Sequence, residues 1–361
     1  MKRRASKPRV GDWVEVRSKE EILRTLDRDG ALDGMPFMPE MFAFCGQRFQ
    51  VYKRAHKTCD TVFPVRSRRV DRAVHLTTRC DGSAHGGCQA TCLIFWKEAW
   101  LKPVDNHWHP LPEAAHVFSC NEADVVRSTQ SKDPQSGETV YSCQATRLPY
   151  ATSDLRWWDV RQYVEDYRSG NVGLWRMFCG AVYSLYYAIS EAGVGLGRPM
   201  RRFYDVFHPL WRGTKFPRSV GTIPEGQPTP VSSLDLQPGE LVRIKSHEEI
   251  LKTVNTGSKN HGLYWDAEEV PYCGGTRRVL KRVTKIIDEK TGKMLQMKMP
   301  SLILDSVFCQ SRYSGRRMFC PRSIYPHWRE IWLERVGARR GDVEPAESDC
   351  VATPCVTSSS K

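Results

Sequence analysis

The sequence has no apolar run long enough to cross a membrane. Its most apolar stretch, residues 177–190, lies between Arg176 and Glu191, and it falls short of the roughly 20 residues that a bilayer requires. We therefore expect a buried helix there. The chain begins with a basic segment that no apolar segment follows, so no secretory signal is visible. These observations together predict a cytoplasmic protein without a transmembrane segment.

The motifs of common enzyme classes are missing as well. We find no nucleophile elbow, P-loop, HExxH or dinucleotide-binding pattern, so no sequence evidence supports those hydrolases, metalloproteases or nucleotide-binding proteins. Whether the chain is an enzyme is left uncertain, and the balance is against it. With 361 residues, 40% hydrophobic and 26% charged, the chain is neither a collagen, a mucin nor a small disulfide-stapled toxin.

What the sequence does have is thirteen cysteines and a net charge of +13. In a reducing compartment, cysteines are more often metal ligands or buried thiols than disulfides. The positive charge is concentrated in the first and last thirds of the chain, and the middle is close to neutral. The positive charge therefore points to the two ends of the protein.

The two ends are copies of one another. Residues 10–54 match residues 238–282 at a constant offset of 228, and residues 96–101 match residues 328–333 at an offset of 232. The second copy therefore carries four extra residues between the matched ends. Such self-similarity indicates an internal duplication.

Each copy predicts the same small β-domain. Alternating apolar residues at 13–16 and 241–244 indicate first strands. Capping boxes at residues 18–21 and 246–249 then predict that a short helix follows in each copy, with apolar residues at 22, 23 and 26 and at 250, 251 and 254. The pattern is typical of an SH3-like barrel. We predict an α+β protein with two such barrels, in residues 1–103 and 238–336. A mainly helical insert (104–212), a Pro-rich linker (213–237) and a disordered tail (337–361) complete the chain.

The cysteines differ between the copies. Cys88 pairs with Cys320, and Cys80 pairs with Cys309 if the extra residues of the second copy fall between Cys309 and Cys320. In the same alignment, Cys59 and Cys92 correspond to isoleucines of the second copy, Ile287 and Ile324. Cys45 and its counterpart Cys273 are predicted to be small core residues.

This asymmetry predicts a metal site in the first copy. We expect its ligands to be Cys59, Cys80, Cys88 and Cys92, which suit zinc or an iron–sulfur cluster. Neither metal is favoured, because the paired spacing of zinc knuckles and the ferredoxin spacing are both missing, and ordinary buried thiols remain the alternative. Further candidate ligands are His56, His85, Cys120 and Cys143. In the second copy, a degenerate site would retain Cys309 and Cys320.

The basic loops suggest a second hypothesis. Small barrels with basic loops bind nucleic acid through phosphates, although a solvated basic surface explains the same charges. The arginines concerned are Arg66, Arg68, Arg69, Arg72, Arg312, Arg316 and Arg317. A redox enzyme that uses an iron–sulfur cluster is a third hypothesis. The partner, whether protein or nucleic acid, stays unknown.

Several strings resemble those of a family of uncharacterised bacterial proteins, over most of residues 10–336. The strings are residues 36–40, 52–59, 79–88, 157–166 and 319–325. The resemblance implies that the relatives carry a cysteine at the position of Ser301 and another just before Arg317. The second repeat of this chain would then have lost ligands. It implies no activity. The function predicted here is that of a metal- or iron–sulfur-binding accessory protein.

Overall fold

The computed structural model describes residues 7–62, 66–104, 120–192, 197–207 and 215–336 and shows a mixed α+β protein. Helices take up 25% and strands 27%, and the strands form several small antiparallel sheets and one half-barrel. The α+β class predicted from the sequence is therefore confirmed. The predicted tail, residues 337–361, lies outside the described residues.

The described residues contain short strands and mostly short helices. The strands are β1 (Trp13–Val16), β2 (Ala31–Leu32), β3 (Met35–Pro36), β4 (Arg48–Gln50), β5 (Lys53–Arg54), β6 (Lys57–Cys59), β7 (Ser67–Arg69), β8 (Ala73–Arg79), β9 (Leu93–Lys97), β10 (Leu101–Pro103), β11 (Gln130–Lys132), β12 (Thr139–Tyr141), β13 (Ser153–Leu155), β14 (Leu241–Ile244), β15 (Lys259–Asn260), β16 (Leu263–Tyr264), β17 (Thr276–Ile287), β18 (Met294–Leu304) and β19 (Leu333–Arg335). The α-helices are α1 (Lys19–Leu23), α2 (Glu122–Arg127), α3 (Gln144–Ala151), α4 (Arg161–Arg168), α5 (Leu174–Ser190), α6 (Gly197–Phe207) and α7 (His247–Leu251). 3₁₀ helices occupy Pro39–Phe44, Glu98–Trp100, Val270–Tyr272 and Glu330–Trp332.

The two repeats pair their strands in the same way. β1 lies between β10 and β4, and β14 lies between β19 and β17, all antiparallel. The registers agree as well, because Val14 faces Phe49 and Val242 faces Arg277, which is the same pair displaced by 228 residues. Both predicted capping boxes are present, at the starts of α1 and α7. The matching sequences thus form matching local structure.

Each repeat is built around buried tryptophans. Trp100 and Trp332 have no exposed surface, and a buried tryptophan usually has a hydrogen-bond partner for its indole N–H. In the first repeat Trp100 Nε1 donates to Thr25 Oγ1 at 3.1 Å, and in the second Trp332 Nε1 donates to Thr253 Oγ1 at 2.9 Å. Each indole therefore links the end of its repeat to the residue just after the short helix.

The segment between the repeats contains the predicted helices, now α4 and α5, together with three short strands. The prediction that residues 177–190 form a buried helix is half wrong. The helix is there, but Phe178 is 60% and Leu185 64% exposed, because the face that packs on the protein carries Gly180 and Tyr183 instead. No helix of the described residues is both long and apolar enough to cross a membrane.

Candidate metal centre

A loop between β8 and β9 carries three of the predicted ligands, Cys80, Cys88 and Cys92. The N–H of Cys80 donates to the carbonyl oxygen of Cys92 at 2.9 Å, which closes the loop at its base. Gly82 turns the chain with a φ of +78°, and a Cβ atom there would lie 2.0 Å from the carbonyl oxygen of Cys88. Only glycine fits this position, so the loop brings the three cysteines together through a glycine-dependent turn.

The same three cysteines line a cavity of about 40 Å³. Cys143, from the segment between the two repeats, lines the same cavity. Cys143 precedes α3 as its N-cap, and its backbone N–H donates to Thr146 Oγ1 at 2.9 Å. His85 and Ile287 also border the cavity. A volume of this size holds roughly three water-sized atoms. The cavity therefore leaves space for an inorganic group among four thiols.

Glu40, Cys80 and His85 meet beside the cavity, with one ligand atom of each within 4.8 Å of the others. The Cys80 thiol donates to Glu40 Oε1 at 3.0 Å, and His85 Nδ1 lies 3.3 Å from the same oxygen. One buried atom of this group, Glu40 Oε2, has no hydrogen-bond partner among the described residues. Buried polar atoms are usually paired, so this oxygen is available to a ligand.

Burial favours protonated thiols in this cavity. It raises the pKa of Cys92 to about 12 and also raises the pKa values of Cys80 and Cys143. Burial would raise the pKa of Glu40 too, but hydrogen bonds from His85 and Cys80 outweigh it and hold that pKa below its ordinary value. A metal that binds these thiols must therefore displace their protons, so its affinity rises with pH.

The structure places Cys59 outside the residues that line the cavity. Its backbone N–H donates to Cys320 Sγ at 3.0 Å, and Cys309 lies within electrostatic range of both thiols. Burial would raise the pKa of Cys320, but the hydrogen bond from the Cys59 thiol helps to lower it to about 7. The hydrogen bond to Cys320, followed by burial, raises the pKa of Cys59. The structure thus brings together three of the four predicted ligands and places the fourth beside the two cysteines of the second repeat.

The further candidate ligands also divide. His85 and Cys143 line the cavity. His56 does not, since its Nε2 lies 3.2 Å from the carbonyl oxygen of Gln162. Cys120 is buried in the hydrophobic core of the first repeat. Of the four alternatives, the structure therefore brings two to the site.

Among the arginines proposed for nucleic-acid binding, carboxylates pair with the guanidinium groups of the first repeat, but with none of those of the second repeat among the described residues. In the first repeat all four make ion pairs, which are Arg66–Asp60 at 3.0 Å, Arg68–Asp154 at 3.0 Å, Arg69–Asp159 at 2.9 Å and Arg72–Asp33 at 3.5 Å. In the second repeat the guanidinium group of Arg312 lies 5.9 Å from the Tyr313 ring, and the backbone of Arg316 and Arg317 takes part in hydrogen bonds. A guanidinium group that is paired with a carboxylate has less to offer a phosphate.

The chain matches no protein-family model and no curated protein. The chemistry of the site must therefore be argued from its donor atoms. Four thiols, one imidazole and one carboxylate form a set rich in soft sulfur, and thiolates select zinc, copper(I) or iron–sulfur clusters. The donor set therefore matches a metal of this class.

Three residues at the site escaped prediction: Glu40, Glu289 and Arg322. Glu40 carried a signal, because it is identical to Glu268 in the aligned repeat. Arg322 and Glu289 line the cavity and pair at 2.6 Å. Nothing in the repeat alignment singles out these two.

Proposed function

We propose that the chain binds an inorganic centre in this cavity and serves as a metal- or iron–sulfur-binding accessory protein. The ligands are Cys80, Cys88, Cys92 and Cys143. The observation that supports this most is the convergence of four thiols, from two separate parts of the chain, on one small cavity. The cysteines of the described residues are free thiols, which suits a reducing compartment such as the cytoplasm.

We also propose that the two repeats are copies of one SH3-like barrel. The recurrence of the same three-strand pairing around β1 and β14 supports this. In such an arrangement the barrels act as rigid supports from which the cysteine loops project. Holding ligands on rigid supports preorganises a site for its metal.

The spacing of the donor atoms favours an iron–sulfur cluster over a single zinc ion. In tetrahedral zinc sites a Zn–S distance of about 2.3 Å places the sulfurs about 3.8 Å apart. Among the described residues, Glu40, Cys80 and His85 form the one group of three ligand atoms mutually within 4.8 Å, so no three of the cavity thiols reach that spacing. A cluster contributes its own iron and sulfide atoms between the thiolates, and it therefore suits the wider arrangement. The small volume of the cavity favours the four-atom [2Fe–2S] type.

A single ion bound by Glu40, Cys80 and His85 is the second candidate. It is favoured by their close approach and by the unpartnered Glu40 Oε2 in that group. Three protein ligands leave a fourth position open, as in catalytic zinc sites. The two candidates share Cys80 but differ in their need for Cys143.

The test is metal analysis of the full chain, purified without oxygen. We expect iron and acid-labile sulfide, with broad visible absorption that disappears in Cys143→Ser and persists in Glu40→Gln. Colourless protein with zinc that is lost in Glu40→Gln but retained in Cys143→Ser would favour the single ion. Cys45→Ser is the matched control, because Cys45 belongs to the same repeat and packs against its core. Wild-type protein without iron, zinc or copper would refute the proposal.

A further inference from the structure

Three cysteines form a second thiol cluster that the cavity does not use. They are Cys59 from β6 and Cys309 and Cys320 from the loop that follows β18. Cys59 and Cys320 are only 6% and 4% exposed. The N–H of Cys59 donates to Cys320 Sγ at 3.0 Å, and Cys309 Sγ lies 3.5 Å from Ser311 Oγ. The cluster thus joins the first repeat to the second.

The two cysteine loops have the same construction. The N–H of Cys80 donates to the carbonyl oxygen of Cys92 at 2.9 Å. In the second loop, the N–H of Cys309 donates to the carbonyl oxygen of Ile324 at 2.8 Å. Cys309 therefore occupies the position of Cys80, and Ile324 occupies the position of Cys92. The ends of both loops are closed by one equivalent hydrogen bond.

A second pair of hydrogen bonds crosses between the repeats. The N–H of Cys59, in the first repeat, donates to Cys320 Sγ at 3.0 Å, whereas the N–H of Ile287, in the second, donates to Cys88 Sγ at 3.4 Å. Ile287 is the aligned counterpart of Cys59, and Cys320 is that of Cys88. Each repeat therefore supplies one strand residue to the cysteine loop of the other. Peptide N–H groups aimed at sulfur also stabilise metal-bound thiolates.

Each loop therefore has four equivalent positions, three from its own repeat and one from the other. Cysteine occupies three of the four positions in both cases. The position that is isoleucine differs, because it is the one from the other repeat around the cavity and one from the same repeat around the second cluster. Around the cavity the four are Cys80, Cys88, Cys92 and Ile287, and around the second cluster they are Cys309, Cys320, Ile324 and Cys59. Cys143, from the insert, adds a further thiol to the cavity alone.

The charge around the second cluster suits bound thiolates. Two cations here, Lys57 and Arg322, each pair with a carboxylate at 2.6 Å. Lys53 has no carboxylate within ion-pair distance among the described residues, and its ammonium group donates to a serine hydroxyl at 3.0 Å. Burial lowers the pKa of Lys53 to about 8, whereas Cys320 and Cys309 are electrostatic partners that favour its charged form. Arg317, an electrostatic partner that favours the Cys59 thiolate, also has no carboxylate within ion-pair distance among the described residues. Three thiolates and a dication together carry a charge of −1, and these unmatched cations offset it, which burial requires.

We propose that Cys59, Cys309 and Cys320 form a second metal centre, assembled across the two repeats, which binds a dicationic iron–sulfur cluster. Like the cavity thiols, these three sulfurs are not mutually within 4.8 Å, a spacing too wide for a single ion. The second site is then not a remnant with two ligands, because the first repeat completes it. Thiolates suit such centres, and the position of Ile324 leaves one coordination site without a cysteine. The proposal stands on its own geometry and does not require the cavity to be occupied.

The test compares equivalent substitutions in the full chain, purified without oxygen, by measuring iron, zinc, copper and acid-labile sulfide per chain. We expect wild type to hold two centres. Cys320→Ser should lose one of them and keep the cavity centre, and Cys88→Ser should do the reverse. Metal content that is unchanged in both Cys320→Ser and Cys59→Ser overturns the second centre. Loss confined to Cys88→Ser would support the cavity centre alone, so the two proposals fail separately.

A gain-of-ligand variant covers the case in which Cys320→Ser does not fold. Ile324→Cys supplies the fourth thiol at the second cluster, at the position that Cys92 occupies in the first loop. We expect it to slow the loss of metal to a chelator on the order of tenfold, as strengthened ligation does. Cys45→Ser serves as the control in both experiments. Chelator kinetics identical to wild type in Ile324→Cys count against the second centre.

Discussion

Lys57 joins three parts of the chain through one buried ammonium group. Its Nζ donates to Asp166 Oδ2 at 2.6 Å and to Gln162 Oε1 at 3.3 Å, both in α4, and to the carbonyl oxygen of Met318 at 2.8 Å in the second repeat. The side chains of Lys57 and Asp166 are 1% and 0% exposed. Because Cys59 lies two residues away on the same strand, this contact also positions the second thiol cluster.

Replacing Lys57 by methionine keeps the chain length and removes the charge. Asp166 is then buried with His56 Nε2, at 3.3 Å, as its remaining ion-pair neighbour among the described residues. Removing one partner of a buried ion pair costs about 3–5 kcal/mol, because the other charge is left without compensation. We therefore expect Lys57→Met to lower the free energy of unfolding by that amount.

The measurement is urea denaturation followed by tryptophan fluorescence, with Lys57→Met compared with the double variant Lys57→Met/Asp166→Leu. The double variant should recover most of the loss, since an apolar replacement of a whole buried pair is often neutral or stabilising. A loss below about 1 kcal/mol in the single variant would refute the reasoning. So would a double variant as unstable as the single one.

Three further predictions concern positions with a clear structural cause. Burial lowers the pKa of His75 to about 3, so the folded state stays neutral while the unfolded state gains a proton below a pKa of about 6.5. Stability is therefore lost as the pH falls below that value, by about 2 kcal/mol at pH 5, and His75→Gln should flatten this dependence in urea titrations at pH 7 and pH 5. Gly82→Ala should abolish metal binding at the cavity, whereas Gly46→Ala, with a similar φ of +74° but nothing within 4 Å, should leave the metal content unchanged; equal losses in both would contradict the steric argument. Thr253→Val removes the acceptor of the buried Trp332 indole and should cost about 1–3 kcal/mol in urea denaturation; no loss would show that another acceptor replaces it.

Features that depend on neighbours in the chain could be predicted from the sequence. The capping boxes that begin α1 and α7 form as predicted, because a serine and a glutamate three residues apart are sufficient to form one. The helix α5 could be predicted as well, because the spacing of its apolar residues is also a local feature of the sequence. Its orientation could not, because the apolar face of α5 proved to be largely exposed. Sequence periodicity shows which residues share a face and not what covers it.

The composition of the thiol clusters depends on contacts between distant segments. The repeat alignment shows that Cys59 corresponds to Ile287, but it does not show that each lies against the cysteine loop of the other repeat. Cys143 carried a weak signal, since the four residues beginning at Cys88 recur there. Only the packing of α3 against the first repeat brings this thiol to the cavity. Equivalence in sequence therefore identified candidate ligands without assigning them to sites.

The most direct test of the central claim, that thiols from distant segments hold inorganic centres, is the metal and sulfide content of the anaerobically purified full chain. It should be measured beside Cys88→Ser and Cys320→Ser, which occupy equivalent positions in the two loops. The account predicts two centres in the wild type and one in each variant. A wild-type chain that carries no iron, zinc or copper, and whose stability neither substitution alters, would contradict it.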